Sequence, residues 1–151
     1  MASNLYKIFQ AHCENIEKLR LTPKNCEISA IERNKTESRA TFLTLLDATL
    51  HDHRIKYGTP FNVLPGKKAL VHLVMMKHHW LPSQINEMTF VDLLLSIQDE
   101  LRYEKANEDT KNFLNFCGWA SQVHHFDDFM EDEWDASLAG RFLKWRPTIT
   151  T

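Results

Sequence analysis

The sequence predicts an all-α fold, a compact bundle of about six helices forming a single domain over residues 1–146, with residues 147–151 a frayed tail. Three observations point there. Apolar residues recur at three- and four-residue steps along most of the chain, the period of a helix with one buried face. The connections between these periodic stretches are short and carry caps or prolines. Only one stretch alternates like a strand, and it has no second strand to pair with.

Leu5, Ile8, Phe9, His12, Ile16 and Leu19 share one face of a first helix, which Ser3 or Asn4 can cap and Thr22-Pro23 ends. Residues 25–35, where Cys26, Ile28 and Ala30 alternate with polar neighbours, are expected to be loop. A second helix runs from Thr36, its expected N-cap, to about Ile55, with Phe42, Leu45, Leu46, Thr49, Leu50 and His53 as its stripe. Gly58, Pro60, Pro65 and Gly66 make the clearest break in the chain. A third helix spans about 67–80, and Pro82 opens a short fourth through Met88. Thr89 and Asp92 form a capping-box variant ahead of Phe90, Leu93, Leu94, Ile97 and Leu101, the strongest amphipathic pattern present. Asn107 or Asp109 caps a helix holding Phe113, Leu114, Phe116 and Cys117. A last helix is expected over about 130–144, with Trp134, Leu138, Phe142 and Leu143 on one side.

Composition narrows the function classes. At 151 residues the chain can bury roughly two thirds of its unfolded surface. A formal net charge of −2 gives no global pull toward nucleic acid or an anionic membrane. The charge is split, however: residues 1–75 carry 11 Lys and Arg against 7 acids, whereas residues 76–151 carry 7 against 13. Cys13, Cys26 and Cys117 are an odd number without C-x-x-C spacing, which argues against a disulfide framework. No stretch reaches the ~18 apolar residues of a membrane span, no secretory signal is recognisable at the N-terminus, and the expected location is cytoplasmic. Four scattered glycines, Gly58, Gly66, Gly118 and Gly140, cannot build a phosphate-cradling loop. The motifs G-x-S-x-G and H-E-x-x-H are also missing.

The eight histidines are the best enzyme clue: His51-Asp52-His53, His78-His79 and His124-His125, beside lone His12 and His72. The adjacent pair His51-Asp52 on a helix resembles the central dyad of the HD phosphohydrolases. That resemblance implies a divalent metal activating water, with His12 or His72 as a third ligand and Asp127 or Asp128 as a fourth. His124 and Asp128, four residues apart, offer imidazole and carboxylate on one helical face, a second metal candidate. Adjacent His78 and His79 diverge by about 100° and cannot grip one ion together. Cys13 and Cys117 have no general base in reach and are expected to be inert.

Residues 126–135, Phe-Asp-Asp-Phe-Met-Glu-Asp-Glu-Trp-Asp, are the most unusual stretch: six of the nine residues 127–135 are acids interleaved with Phe129, Met130 and Trp134. Burial energy from the rings and steering by the carboxylates would suit a contact with a basic protein partner. The alternative is that the rings pack on the core while the acids face water. The expected contact set is Asp127, Asp128, Phe129, Glu131, Asp132, Glu133 and Trp134.

The helices at 67–80 and 82–88 also have the outline of a helix-turn-helix, with Ser83, Gln84 and Asn86 able to read bases. Glu87 is an anion, and the nearest cation is Lys77, so nucleic acid is not the expected partner. The function expected from sequence is therefore a small non-enzymatic binding or regulatory protein without a cofactor. The alternatives are a metal-dependent hydrolase and a DNA-binding protein. Trp80, Trp119, Trp134 and Trp145 are many for one interior and leave homo-oligomerisation open.

Overall fold

The computed structural model describes residues 2–20, 30–122 and 129–147. Among them seven α-helices follow one another without a strand: α1 Ala2–Leu19, α2 Ala30–Tyr57, α3 Lys67–His78, α4 Pro82–Asn86, α5 Phe90–Ser96, α6 Glu108–Phe116 and α7 Leu138–Phe142. The fold is all-α. No helix among the described residues is long and apolar enough to cross a membrane.

α2 is the central pillar. Every residue from Ser38 to Ala48 is buried, which a helix shows only when neighbours cover it on all sides. Its threonines satisfy their hydroxyls within the helix: Thr41 Oγ1 donates to the Glu37 carbonyl (2.7 Å) and Thr44 Oγ1 to that of Ala40 (2.8 Å). α1 lies along it with Leu5, Ile8, His12 and Ile16 turned inward. On one flank Leu43, Leu46 and Leu50 of α2 meet Leu70 and Val74 of α3 and Phe90, Leu93 and Leu94 of α5. On the other, Leu45 and Ala48 meet Leu5 and Ile8 of α1 and Phe113 and Leu114 of α6.

The caps behave as their chemistry requires. Thr89 Oγ1 accepts the Asp92 N–H (3.2 Å) at the start of α5, and Asn107 Oδ1 accepts the Thr110 N–H (2.8 Å) at the start of α6. His79 closes α3 in the left-handed region (φ 59°) with its N–H on the Met75 carbonyl, and Pro82 then opens α4 at its first position.

Two expectations are corrected. The segment assigned to loop over residues 25–35 is helical from Ala30 onward, so Thr36 sits inside α2 and caps nothing; residues 25–29 lie outside the described set. The helix expected over 130–144 does not form as one element. Glu131–Glu133 make a single 3-10 turn, Trp134 is extended (φ −96°, ψ 99°), and α7 begins only at Leu138. A continuous helix would keep Trp134 on the stripe of Phe129 and Met130; the extended backbone instead lets its indole reach into the core. Of the expected tail, residues 148–151 lie outside the described set.

Candidate functional site

The described part of the acidic–aromatic segment, residues 129–135, is anchored in the molecule by its rings. Phe129 is 7% exposed with its ring centroid 5.3 Å from that of Phe42. Trp134 is 6% exposed and stacks on Phe90 at 5.4 Å, the planes 10° apart. Its Nε1–H donates to Asp47 Oδ1 (2.9 Å), and His12 Nε2–H donates to Asp47 Oδ2 (2.7 Å). Asp47 and His12 are both fully covered, so one buried carboxylate ties α1, α2 and the 134 strand-like stretch together. His12 Nδ1 is covered too and has no partner among the described residues.

Glu133 is equally buried. It receives the Arg20 guanidinium on Oε1 and the Met130 N–H (3.3 Å) on Oε2. Asn15 Nδ2 donates to the carbonyls of Asp132 (3.3 Å) and Glu133 (3.1 Å), and Lys67 pairs with Glu131 at 2.5 Å. Of the expected contact set, Phe129, Glu133 and Trp134 are therefore interior. Glu131 and Asp132 remain exposed beside Met130, while Asp127 and Asp128 lie outside the described residues. For the rings, the burial agrees with the alternative in which they pack on the core, though Trp134 enters from an extended backbone and not from a helical stripe.

Among the described residues, those proposed for a metal do not come together. His51 is half-buried, and Asp52, at the surface, accepts both of its hydrogen bonds from Asn107 Nδ2 (3.2 and 3.1 Å). The suggested third ligands are engaged elsewhere, His12 with Asp47 and His72 Nδ1 with His53 Nε2 (2.8 Å). Among the described residues no three His, Cys, Asp or Glu side chains form a metal-holding group. His124, Asp127 and Asp128 fall outside that set. The two described thiols are poor nucleophiles: burial, reinforced by Glu37 and neighbouring acids, pushes Cys13 up to about 12, and burial raises Cys117. The helix-turn-helix outline also fails on length, since α4 has five residues and the Gln84 side chain accepts the Leu81 N–H (3.0 Å).

Two features that sequence reasoning did not single out now stand forward. The first is the loop between α2 and α3. Thr59 and Asn62 exchange backbone hydrogen bonds (2.9 and 3.1 Å) around Pro60-Phe61, and Asn62 Oδ1 accepts the Leu64 N–H (3.0 Å). From below, buried Arg54 donates to the carbonyls of Leu64 (2.7 Å) and Gly66 (2.8 Å). Gly58 lets Trp145 pack against the loop's start, where a Cβ would stand 2.8 Å from that ring. At the tip of this braced loop Phe61 is 101% exposed, with Val63 exposed on the same connection and Ile55 exposed near the end of α2. The available sequence signal was a single large aromatic inside a Gly/Pro break, where no periodicity buries it.

The second is a cleft of about 390 Å³ between α2, α3 and the stretch leading into α6, lined among others by Asp52, His53, Lys56, Tyr57, Met76 and Lys77. The His53, Tyr57 and His72 rings pack together with centroids 4.7–5.7 Å apart. Burial first, then His72 and Arg54 beside it, hold His53 down to about 4. The unfolded chain protonates this imidazole near 6.5 and the folded chain only near 4. The native state is thus favoured above the upper value and loses that advantage as pH falls through the window between them. Urea unfolding from pH 7 to pH 4 should show a loss of roughly 3 kcal/mol from this group, and His53→Gln should flatten that slope.

No family model, no curated protein and no solved structure matches the chain.

Proposed function

We propose that this chain is a non-enzymatic binding protein whose contact surface centres on the Phe61 loop and continues to the exposed acids Glu131 and Asp132. One observation carries the reading: a fully exposed phenylalanine on a loop held by its own backbone and by a buried arginine. Leaving such a ring in water forgoes roughly 1.5–3 kcal/mol of burial. A braced loop recovers that energy on binding with little further ordering cost, the property of an interface anchor. The acids are neighbours of the same loop through its far end. Lys67, one residue past Gly66, pairs with Glu131, and a Cβ on Gly66 would lie 3.8 Å from that of Ala136. The exposed Lys67–Glu131 pair is the kind that contributes at most about 1 kcal/mol, so a competing cation can replace the lysine. The partner that fits is a protein with an apolar pocket flanked by basic side chains, or a second copy of this chain presenting such a pocket.

The test is affinity capture with the wild type, Phe61→Ser and the double reversal Glu131→Lys/Asp132→Lys. Phe61→Ser should weaken retention of specific partners at least tenfold while leaving unfolding within about 0.5 kcal/mol of wild type, as expected for an exposed site. Retention of every specific partner by both variants would remove the reading. Sedimentation of wild type and Phe61→Ser over a concentration series distinguishes a second copy from a foreign partner.

A further inference from the structure

The cleft on α2 carries an inference of its own, independent of the Phe61 surface. Most of the charge around it is already matched internally. Lys77 reaches Asp99 at 2.5 Å and Glu100 at 3.4 Å, and Lys105 reaches the same two carboxylates at 3.7 and 3.4 Å. These four groups form a closed, neutral network on one side. His53, facing the cleft from α2, is uncharged at neutral pH and its Nε2 is committed to His72.

Two charges on the cleft wall are left over, and they are opposite in sign. Asp52 makes no ion pair among the described residues; the Asn107 amide is neutral and supplies hydrogen bonds only. Lys56 makes none either, its ammonium lying 5.2 Å from the Tyr57 ring centroid. They stand four residues apart on α2, so their Cβ atoms are about 5–6 Å apart on one face, yet they do not bridge to each other. Beyond them the wall is apolar, formed by Leu73 and Met76 of α3 with the Tyr57 ring.

We infer that this cleft binds a small zwitterion with an apolar body, an amino acid or short peptide whose ammonium meets Asp52 and whose carboxylate meets Lys56. Each ligand charge then finds a protein charge that has no ion pair among the described residues, and the side chain covers Leu73, Met76 and Tyr57. The volume suits it, since small-molecule sites begin at about 300 Å³ and this one holds about 390 Å³. A simple anion would satisfy Lys56 and leave Asp52 facing a like charge; a simple cation would do the reverse.

The test is an NMR titration of the full chain with four probes: L-phenylalanine, the dipeptide L-phenylalanyl-glycine, N-acetyl-L-phenylalanine, which lacks the ammonium, and L-phenylalaninamide, which lacks the carboxylate. One of the two zwitterions should shift the Lys56, Tyr57 and Met76 resonances saturably, and which one does so separates a free amino acid from a peptide. Each blocked analogue should bind at least tenfold more weakly. Asp52→Asn should erase the preference over the acetylated probe alone, and Lys56→Gln the preference over the amide alone. Both residues are exposed, so neither variant threatens the fold. Absence of saturable shifts with either zwitterion up to roughly 10 mM, a dissociation constant already weaker than about −3 kcal/mol of binding, would overturn the inference. So would blocked analogues that bind as tightly as the zwitterions.

Discussion

Asp47→Ala is expected to destabilise the protein by roughly 3–5 kcal/mol, since two buried donors lose their shared acceptor and each group so stranded costs about 1–3 kcal/mol. Asp47 is 1% exposed and accepts from two donors that have no water to turn to, His12 Nε2 and Trp134 Nε1. Alanine leaves both donors buried and unmatched, and His12 Nδ1 is already without a partner among the described residues. The loss is a large share of a typical domain stability of about 5–15 kcal/mol. The companion His12→Leu/Asp47→Leu/Trp134→Phe variant removes the whole network and should recover part of the cost, since isosteric apolar replacement of a buried polar cluster is often close to neutral. Urea denaturation at pH 7 reads both. A loss under about 1 kcal/mol for Asp47→Ala would mean that water reaches the carboxylate.

Trp134→Ala carries the second large effect, again roughly 3–5 kcal/mol, because a stacked, buried indole is replaced by a cavity between Phe90 and Asp47. The same substitution at Met130 or Asp132, which are exposed neighbours in the segment, should change stability by less than about 1 kcal/mol. That contrast between adjacent residues separates a segment that fastens the fold from one that lies on its surface.

Much of the architecture was legible from local patterns. The buried faces of α1 and α6, the caps at Thr89 and Asn107 and the proline opening α4 depend on residues a few positions apart and lie where their spacing places them, except that Leu19 and Phe116 of the expected stripes are exposed and the helix expected to carry Phe90 through Leu101 ends at Ser96, leaving Leu101 in a 3-10 turn. What the sequence concealed is long-range. Nothing near Asp47, set between Leu46 and Ala48, announces that its partners are His12, 35 residues away, and Trp134, 87 away. Glu133 in an acidic run looks solvated; only Arg20, 113 residues distant, makes it an interior group. Phe61 was overlooked for the opposite reason, since an aromatic in a turn carries no periodic signal, although its isolation from any stripe is the mark of a side chain with nothing to pack on. The Asp52 and Lys56 spacing was visible, but their lack of ion-pair partners among the described residues emerges only once Asp99, Glu100, Lys77 and Lys105 are seen to satisfy one another.

Hydrogen exchange at the Trp134 indole nitrogen interrogates the placement of the acidic–aromatic segment directly. With Nε1–H bonded to Asp47 beneath the Phe90 ring, its exchange should require global unfolding and slow in step with the urea-derived stability. Exchange near the rate of a free indole, in a protein that is otherwise folded, would contradict an interior Trp134 and return the segment to the surface.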